Sequence, residues 1–157
     1  MRIIVVSDTH GDMGRLRKVV ARHRDADCFI HLGDGRAEML SLMKANPDIK
    51  YYSVCGNCDF ASQGPAWGEA EFGGKKFFFT HGHRYYVKGG GTRIIEEARR
   101  RGADVLLYGH THRAVCEYDG GLYIINPGSL GMPDDGRPTY AVADVTPAGI
   151  AAHIAEL

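Results

Sequence analysis

Long apolar runs are missing from this sequence. Runs such as Ile3 to Val6 fall far short of the roughly 20 residues that a bilayer-spanning helix requires. An excess of either charge is missing too: Lys plus Arg and Asp plus Glu number 19 each. That balance provides no polyanion-binding tail and no basic membrane-surface patch, so neither nucleic acid nor membrane is indicated as a partner. Cysteine is scarce, with four residues at irregular spacings and no second C-x-x-C. This excludes a secreted disulfide framework and a zinc ribbon. Repeats, low-complexity tracts and linkers are absent. One domain over residues 1–157 is therefore expected, long enough to bury about two-thirds of its unfolded surface. The opening "MRIIVVSDTHG" has too short an apolar core for a signal peptide and runs straight into polar and acidic residues. A cytoplasmic protein with its first strand here is the expectation.

What the sequence does contain is an alternation of short apolar runs with amphipathic stretches. "IIVV" reads as a strand buried on both faces, and Leu16, Val19, Val20 and His23 fall at helical spacing. "CFIHL" and "RAEMLSLMKA" repeat the pair, and a third strand begins over Tyr51 to Val54. That succession predicts parallel βαβ units. The second half differs. A strand in "KKFFFTHGH" leads to the glycine-rich "KGGGT", then to a helix over "TRIIEEARRR". The arginines of its last turn suit the helix dipole, and Gly102 stops it. "ADVLLYGH" is a further buried strand. Short strands are expected near Ala114 to Tyr118, Leu122 to Ile125, Tyr140 to Val145 and Gly149 to Ile154, between Gly-, Pro- and Asp-rich turns. A βα beginning joined to a β-rich end predicts an α/β fold, a two-sheet β-sandwich flanked by helices. "ASQGPAWGEAEFGG" reads as a surface loop anchored by Trp67.

Five of the apolar strands run directly into loops with metal-capable side chains. They are "SDTHG" with Asp8 and His10, "LGDG" with Asp34, "CGNCD" with Asn57, "THGH" with His81, and "YGHTH" with His110 and His112. If these strands are parallel, their carboxyl ends share one edge of the sheet, where open α/β sheets place their sites. Each residue alone has a plainer use, since a post-strand Asp caps turns and a lone His packs in cores. "HTH" is stronger, because two imidazoles two residues apart project to the same side of an extended segment. Seven such groups at strand ends point jointly to metal binding. Carboxylate, amide and imidazole without thiolate suit Mn²⁺, Fe²⁺, Zn²⁺, Co²⁺ or Ni²⁺, and four imidazoles argue against Ca²⁺. Seven ligands exceed what one tetrahedral ion needs. Two ions sharing a carboxylate are expected, an arrangement suited to in-line displacement at phosphorus.

D-x-H, GD, GN followed by D, a lone H and GHTH, in this order from Asp8 to His112, resemble the calcineurin-like metallophosphoesterases. The short length and "GNCD" resemble their small single-domain phosphodiesterase branch of bacteria and archaea. The resemblance implies an α/β sandwich acting as a dinuclear metal-dependent phosphodiesterase, with Mn²⁺ the first choice of ion. It implies that Asp8, His10 and His112 hold one ion, that Asn57, His81 and His110 hold the other, and that Asp34 bridges them. A metal-bridging hydroxide would then attack phosphorus opposite the leaving oxygen.

Cys55 and Cys58, taken alone, suit a redox pair, half a zinc site or some other metal centre. The resemblance makes them neighbours of the functional Asn57, with Cys55 a small buried apolar residue. In most of the larger family a histidine follows the GN and steadies the phosphate or protonates the leaving group; here Cys58 stands in its place. A thiol is a weaker donor than an imidazolium, and a thiolate formed near two dications would repel phosphate. General-acid assistance, worth about 10² to 10⁴ in rate, is then reduced. Esters with good leaving groups and diesters are expected over alkyl monoesters. Arg36, His83 and Arg84 are candidate contacts to substrate phosphate, His31 is a core histidine, and His23 and His153 are structural or exposed. The expected partner is a small phosphodiester, and the resemblance allows a homodimer. Two other readings stand beside this one: a protein-binding scaffold, since a trafficking-coat subunit is similar in fold, and a redox protein using Cys55 and Cys58.

Overall fold

The structure, a computed structural model, describes residues 1–60 and 63–157. The βα beginning comprises β1 (Arg2–Val6), α1 (Met13–Arg22), β2 (Cys28–His31), α2 (Arg36–Lys44) and β3 (Tyr51–Ser53). It continues through β4 (Trp67–Phe72), β5 (Lys75–Thr80), α3 (Thr92–Arg100) and β6 (Val105–Leu107). The β-rich end comprises β7 (Ala114–Asp119), β8 (Leu122–Pro127), β9 (Thr139–Thr146) and β10 (Gly149–Glu156). Two five-stranded sheets result, ordered β10-β9-β1-β2-β3 and β4-β5-β6-β8-β7. In the first, β1, β2 and β3 run parallel; in the second, β5, β6 and β8 do. No helix among the described residues is long and apolar enough to cross a membrane.

The continuous apolar runs are explained by burial on both faces. Ile3 and Val5 of β1 and Ile30 of β2 meet Phe77 and Phe79 of β5 and Leu107 of β6 between the sheets. The opposite pleat of the first sheet, Ile4, Val6 and Phe29, packs beneath Leu16 and Val19 of α1 and Met39 of α2. On the far side, Phe78, Leu106 and Ile124 support Ile94 and Ala98 of α3. The layers are helices, sheet, sheet, helix. A parallel sheet covered on both faces has no wet side, so its strands carry no polar alternation.

One sequence expectation is corrected. Trp67–Phe72 is not loop but an edge strand, paired antiparallel with β5. Gly73 and Gly74, both at positive φ (56° and 76°), form the two-residue turn that joins them. A turn of this hand matches the strand twist, and it needs positive φ at both positions, which glycine adopts without steric cost. Trp67 does anchor the segment, with the Arg101 guanidinium 4.0 Å from its ring centroid. Ala61 and Ser62, from the same expected loop, lie outside the described residues.

The sheet pairing brings the carboxyl ends of all six parallel strands to one rim. The expectation of one edge of one sheet is thereby revised, because β1, β2 and β3 supply half of the rim and β5, β6 and β8 the other half. Backbone bonds stitch the halves together: Leu130 N–H donates to Ser7 O at 3.2 Å and Gly131 N–H to Asp8 O at 3.0 Å.

His31 is the core histidine that the sequence suggested. It is fully buried, its Nδ1 accepts from Gly33 N–H at 3.1 Å, and its Nε2 lies 3.2 Å from the Thr9 hydroxyl. Burial pushes its pKa down to about 4. The unfolded chain therefore binds this proton first as pH falls below about 6.5, and stability is lost between pH 6.5 and 4, by roughly 3 kcal/mol. Urea denaturation across that range is expected to show a flatter pH dependence for His31→Gln than for the wild type. Parallel curves would remove His31 as the cause.

Candidate metal centre

Seven side chains from five rim loops converge. Asp8, His10 and His112 place one ligand atom each within 4.8 Å of one another, and Asp34, His81 and His110 do the same. Asn57 joins the second group, its Oδ1 lying 3.2 Å from His81 Nε2. Asp34 sits between the two: its Oδ2 is 3.4 Å from His81 Nε2 and 4.0 Å from His10 Nε2. His10, Asp34 and Cys58 form a third overlapping group, so the thiol lies within ligand reach.

The orientation of these atoms is what a cation requires. Asp8 is fully buried, and its Oδ2 accepts from the Ser7 hydroxyl and from His110 N–H at 3.1 Å. Its Oδ1 makes no hydrogen bond, yet it faces His112 Nε2 at 3.1 Å and His10 Nε2 at 3.7 Å. His81 Nδ1 donates to Leu32 O at 2.8 Å and His112 Nδ1 to Met132 O at 2.6 Å, which turns each Nε2 inward, where it can serve a cation as a ligand. His10 Nε2 and His112 Nε2 face each other at 3.3 Å. An orphaned buried carboxylate oxygen among inward-facing imidazole nitrogens fits a divalent ion better than it fits water.

The backbone is strained to make this convergence. Among the described residues six non-glycine residues have positive φ, and five of them are Asp8, His10, Asp34, His110 and His112, at 44° to 70°. Such conformations persist only where surrounding structure over-determines them. They also correct the reading of "HTH". That segment is not extended; with His110 and His112 both left-handed, the first imidazole joins His81 and Asp34 while the second joins Asp8 and His10. Gly56 and Gly109 permit the close approach, since a Cβ on the first would strike the Asp34 carboxylate and one on the second the Ser7 hydroxyl.

Electrostatics couple the groups. Burial disfavours charge on Asp8, but the close approach of His10 and His112 and the charge of His81 outweigh it and hold the carboxyl well below its usual range. Asp34 is likewise opposed by burial and brought down to about 2 by His81 and Cys58. His112 is raised, chiefly by Asp8. His81 is raised by Asp34 and Asp8 against its own burial. His110 is driven down to about 4 by burial and then by the positive charges of His81 and Lys88.

The remaining candidates divide. His83 stands at the second group, its ring centroid 5.3 Å from that of His81 and 6.1 Å from that of His110. Arg36 packs beside Gly64 and Cys55, and Arg84 is exposed; neither lines a cleft that the ligands line. Cys58 is exposed, with its Sγ 3.2 Å from Asn57 Nδ2. Partial desolvation, then Asp34, hold its thiol up at about 11. Cys55 is only half-buried, which corrects the expectation of a buried apolar residue: its loop is pinned at the surface by Cys55 N–H donating to Pro65 O at 2.8 Å. All four cysteines are free thiols.

Sequence reasoning missed several supporting residues. Asp59 accepts four backbone N–H groups: those of Asp34 and Gly56 at 2.8 Å on Oδ2, and of Gly35 and Arg36 at 3.0 and 2.9 Å on Oδ1. It ties the Asp34 loop to the Asn57 loop and caps the start of α2. Asn126, buried near the end of β8, donates to Gly109 O at 3.1 Å and Thr111 Oγ1 at 3.0 Å, steadying the "GHTH" loop. Ser129 Oγ donates to Asp8 O at 2.8 Å. The signal was available, because "LYIINPGS" is a sixth apolar strand that runs into polar residues.

A two-sheet α/β fold whose rim gathers carboxylates, an amide and imidazoles able to bind metal defines a class, and the chain belongs to the calcineurin-like phosphoesterase superfamily, whose domain model matches residues 1–147. Among its relatives is the probable metallophosphoesterase YsnB of Bacillus subtilis (strain 168), 35% identical over 145 residues, covering 90% of this chain and 83% of YsnB. A solved archaeal phosphodiesterase is 27% identical, with both chains covered in full and a TM-score of 0.75. The zinc complex of Vps29 from Entamoeba histolytica shares the fold, at 17% identity with 99% of both chains covered and a TM-score of 0.75.

Proposed function

We propose that this protein is a phosphodiesterase working with two divalent ions, Mn²⁺ first among them. The observation that carries the reading is the position of Asp34 Oδ2 between His81 and His10, a carboxylate oxygen shared by two ligand groups. Asp8, His10 and His112 would hold one ion, and Asn57, His81 and His110 the other. The likeness to an archaeal phosphodiesterase supports the same reading. When bound, such ions make coordinated water acidic enough to supply a nucleophile at neutral pH and neutralise charge building on phosphorus.

The chain's own groups set what can be cleaved. With Nδ1 of His81 and His112 donating to Leu32 O and Met132 O, those rings would turn Nε2 lone pairs to a bound ion and would then hold no proton to donate inward. By the resemblance, Cys58 stands where the larger family carries the histidine that would protonate a leaving oxygen, and a thiol held at about 11 is a poor acid at neutral pH. Aryl and other good leaving groups are therefore favoured, and diesters over alkyl monoesters. A cleft of about 500 Å³ beside His112 and one of about 510 Å³ beside His10 and Asp34 leave room for ester arms.

Hydrolysis of bis(p-nitrophenyl) phosphate is expected on adding Mn²⁺, to stop with a chelator and to return with fresh Mn²⁺. The shared fold with Vps29 favours one rival, a protein-binding scaffold. A protein that binds Mn²⁺ stoichiometrically and turns over no ester would decide for the scaffold.

A further inference from the structure

Of the six non-glycine residues at positive φ among the described residues, Tyr86 alone belongs to no ligand group. It joins two 3₁₀ turns, His83–Tyr85 and Val87–Gly89, at φ 57°. An aromatic residue in the left-handed region is a genuine outlier, so its surroundings must hold it there. The Arg93 guanidinium lies 5.2 Å from its ring centroid, and the next side chain, Val87, is buried with Phe78, Ile94 and Tyr108.

The consequence of this turn is the placement of Lys88. It lines the cleft of about 500 Å³ that Thr111, His112 and Arg113 also line. Arg113 is already engaged there, its Nε 2.7 Å from Asp134. Lys88 forms no hydrogen bond or ion pair with any described residue. The opposite cleft, lined by His10, Asp34, Glu38, Cys58, Phe60 and Met132 among others, has no Lys or Arg among its described lining residues. A phosphate would meet carboxylates on that side and an unengaged ammonium on this one.

We propose that Lys88 contacts the substrate, its ammonium pairing with a non-bridging phosphoryl oxygen as the ester lies against His110 and His112. The inference rests on the phosphodiesterase reading and adds the side from which the phosphate is held. A compact charge on a flexible stem suits this task, because it can follow the oxygen as phosphorus changes geometry and charge builds.

Lys88→Gln keeps a polar side chain, one bond shorter, and removes its charge. With bis(p-nitrophenyl) phosphate and Mn²⁺, kcat/KM is expected to fall about 10- to 100-fold. Metal content per chain should be unchanged, KM should lose much of its dependence on ionic strength, and Lys88→Arg should recover most of the loss. Inorganic phosphate, titrated calorimetrically into the metal-loaded protein, should bind Lys88→Gln about tenfold more weakly. Kinetics and phosphate affinity within about twofold of the wild type would overturn the proposal, as would loss of metal from Lys88→Gln. If the wild type hydrolysed no ester, the phosphodiesterase reading alone would fall, and the two phosphate affinities would still decide for or against Lys88.

Discussion

Asp34→Asn is expected to lower metal-dependent diester hydrolysis by about 10³-fold or more. The Asp34 carboxylate is the group shared between the two sets of ligands, its Oδ2 facing His81 at 3.4 Å and His10 at 4.0 Å. An amide nitrogen there has no lone pair to give a cation, and the negative charge is lost as well. Charge stabilisation by bound metal is worth several kcal/mol in the transition state, and each 1.36 kcal/mol is tenfold in rate. The fold should survive, because Asn retains the oxygen that accepts Cys58 N–H at 2.7 Å. Metal analysis and kcat/KM test this together: a variant that keeps its full metal content and stays within tenfold of the wild type would contradict the shared-ligand assignment. Cys58→Ala is the contrast. Its thiol is exposed and a weak acid, so the loss should be far milder; equal severity would mean that the cysteine is central.

Asp59→Ala should be the most destabilising single change in the site loops, costing about 3–5 kcal/mol. Four backbone N–H groups converge on this one half-buried carboxylate. Each donor left without its acceptor costs about 1–3 kcal/mol, and water reaching the half-open loop recovers part of the sum. Urea denaturation measures the effect. Asp59→Asn, with one oxygen left to accept, should fall between wild type and Ala. Activity should drop in both variants under conditions where they remain folded, because Asp34 and Gly56 are no longer held to one anchor. A change below about 1 kcal/mol for Ala would show that the loop is secured by other contacts.

Much of the fold was legible because it is written in local periodicity. Ile3 to Val6 and Cys28 to Leu32 read as doubly buried strands and are buried throughout, and the strand read in "KKFFFTHGH" is β5. The β4–β5 hairpin was not read, since Trp67–Phe72 mixes Gly, Glu and Ala and its turn is signalled only by Gly73 and Gly74. Asp59 was seen within its motif but left without a role, because its four partners come from two separate loops. Lys88 carried no signal at all: nothing in "YYVKGGG" says which way a lysine between two 3₁₀ turns will face.

By itself the sequence determined the kinds of groups available and their place at strand ends, because residue type and spacing act within a few residues of each other. Which groups meet was decided only in three dimensions. Two sheets stack so that six strand ends share one rim, and left-handed backbone at His110 and His112 sends neighbouring imidazoles to different ligand groups. The reason is physical. A side chain's direction depends on φ and ψ that long-range packing imposes, and local preference would have refused those values.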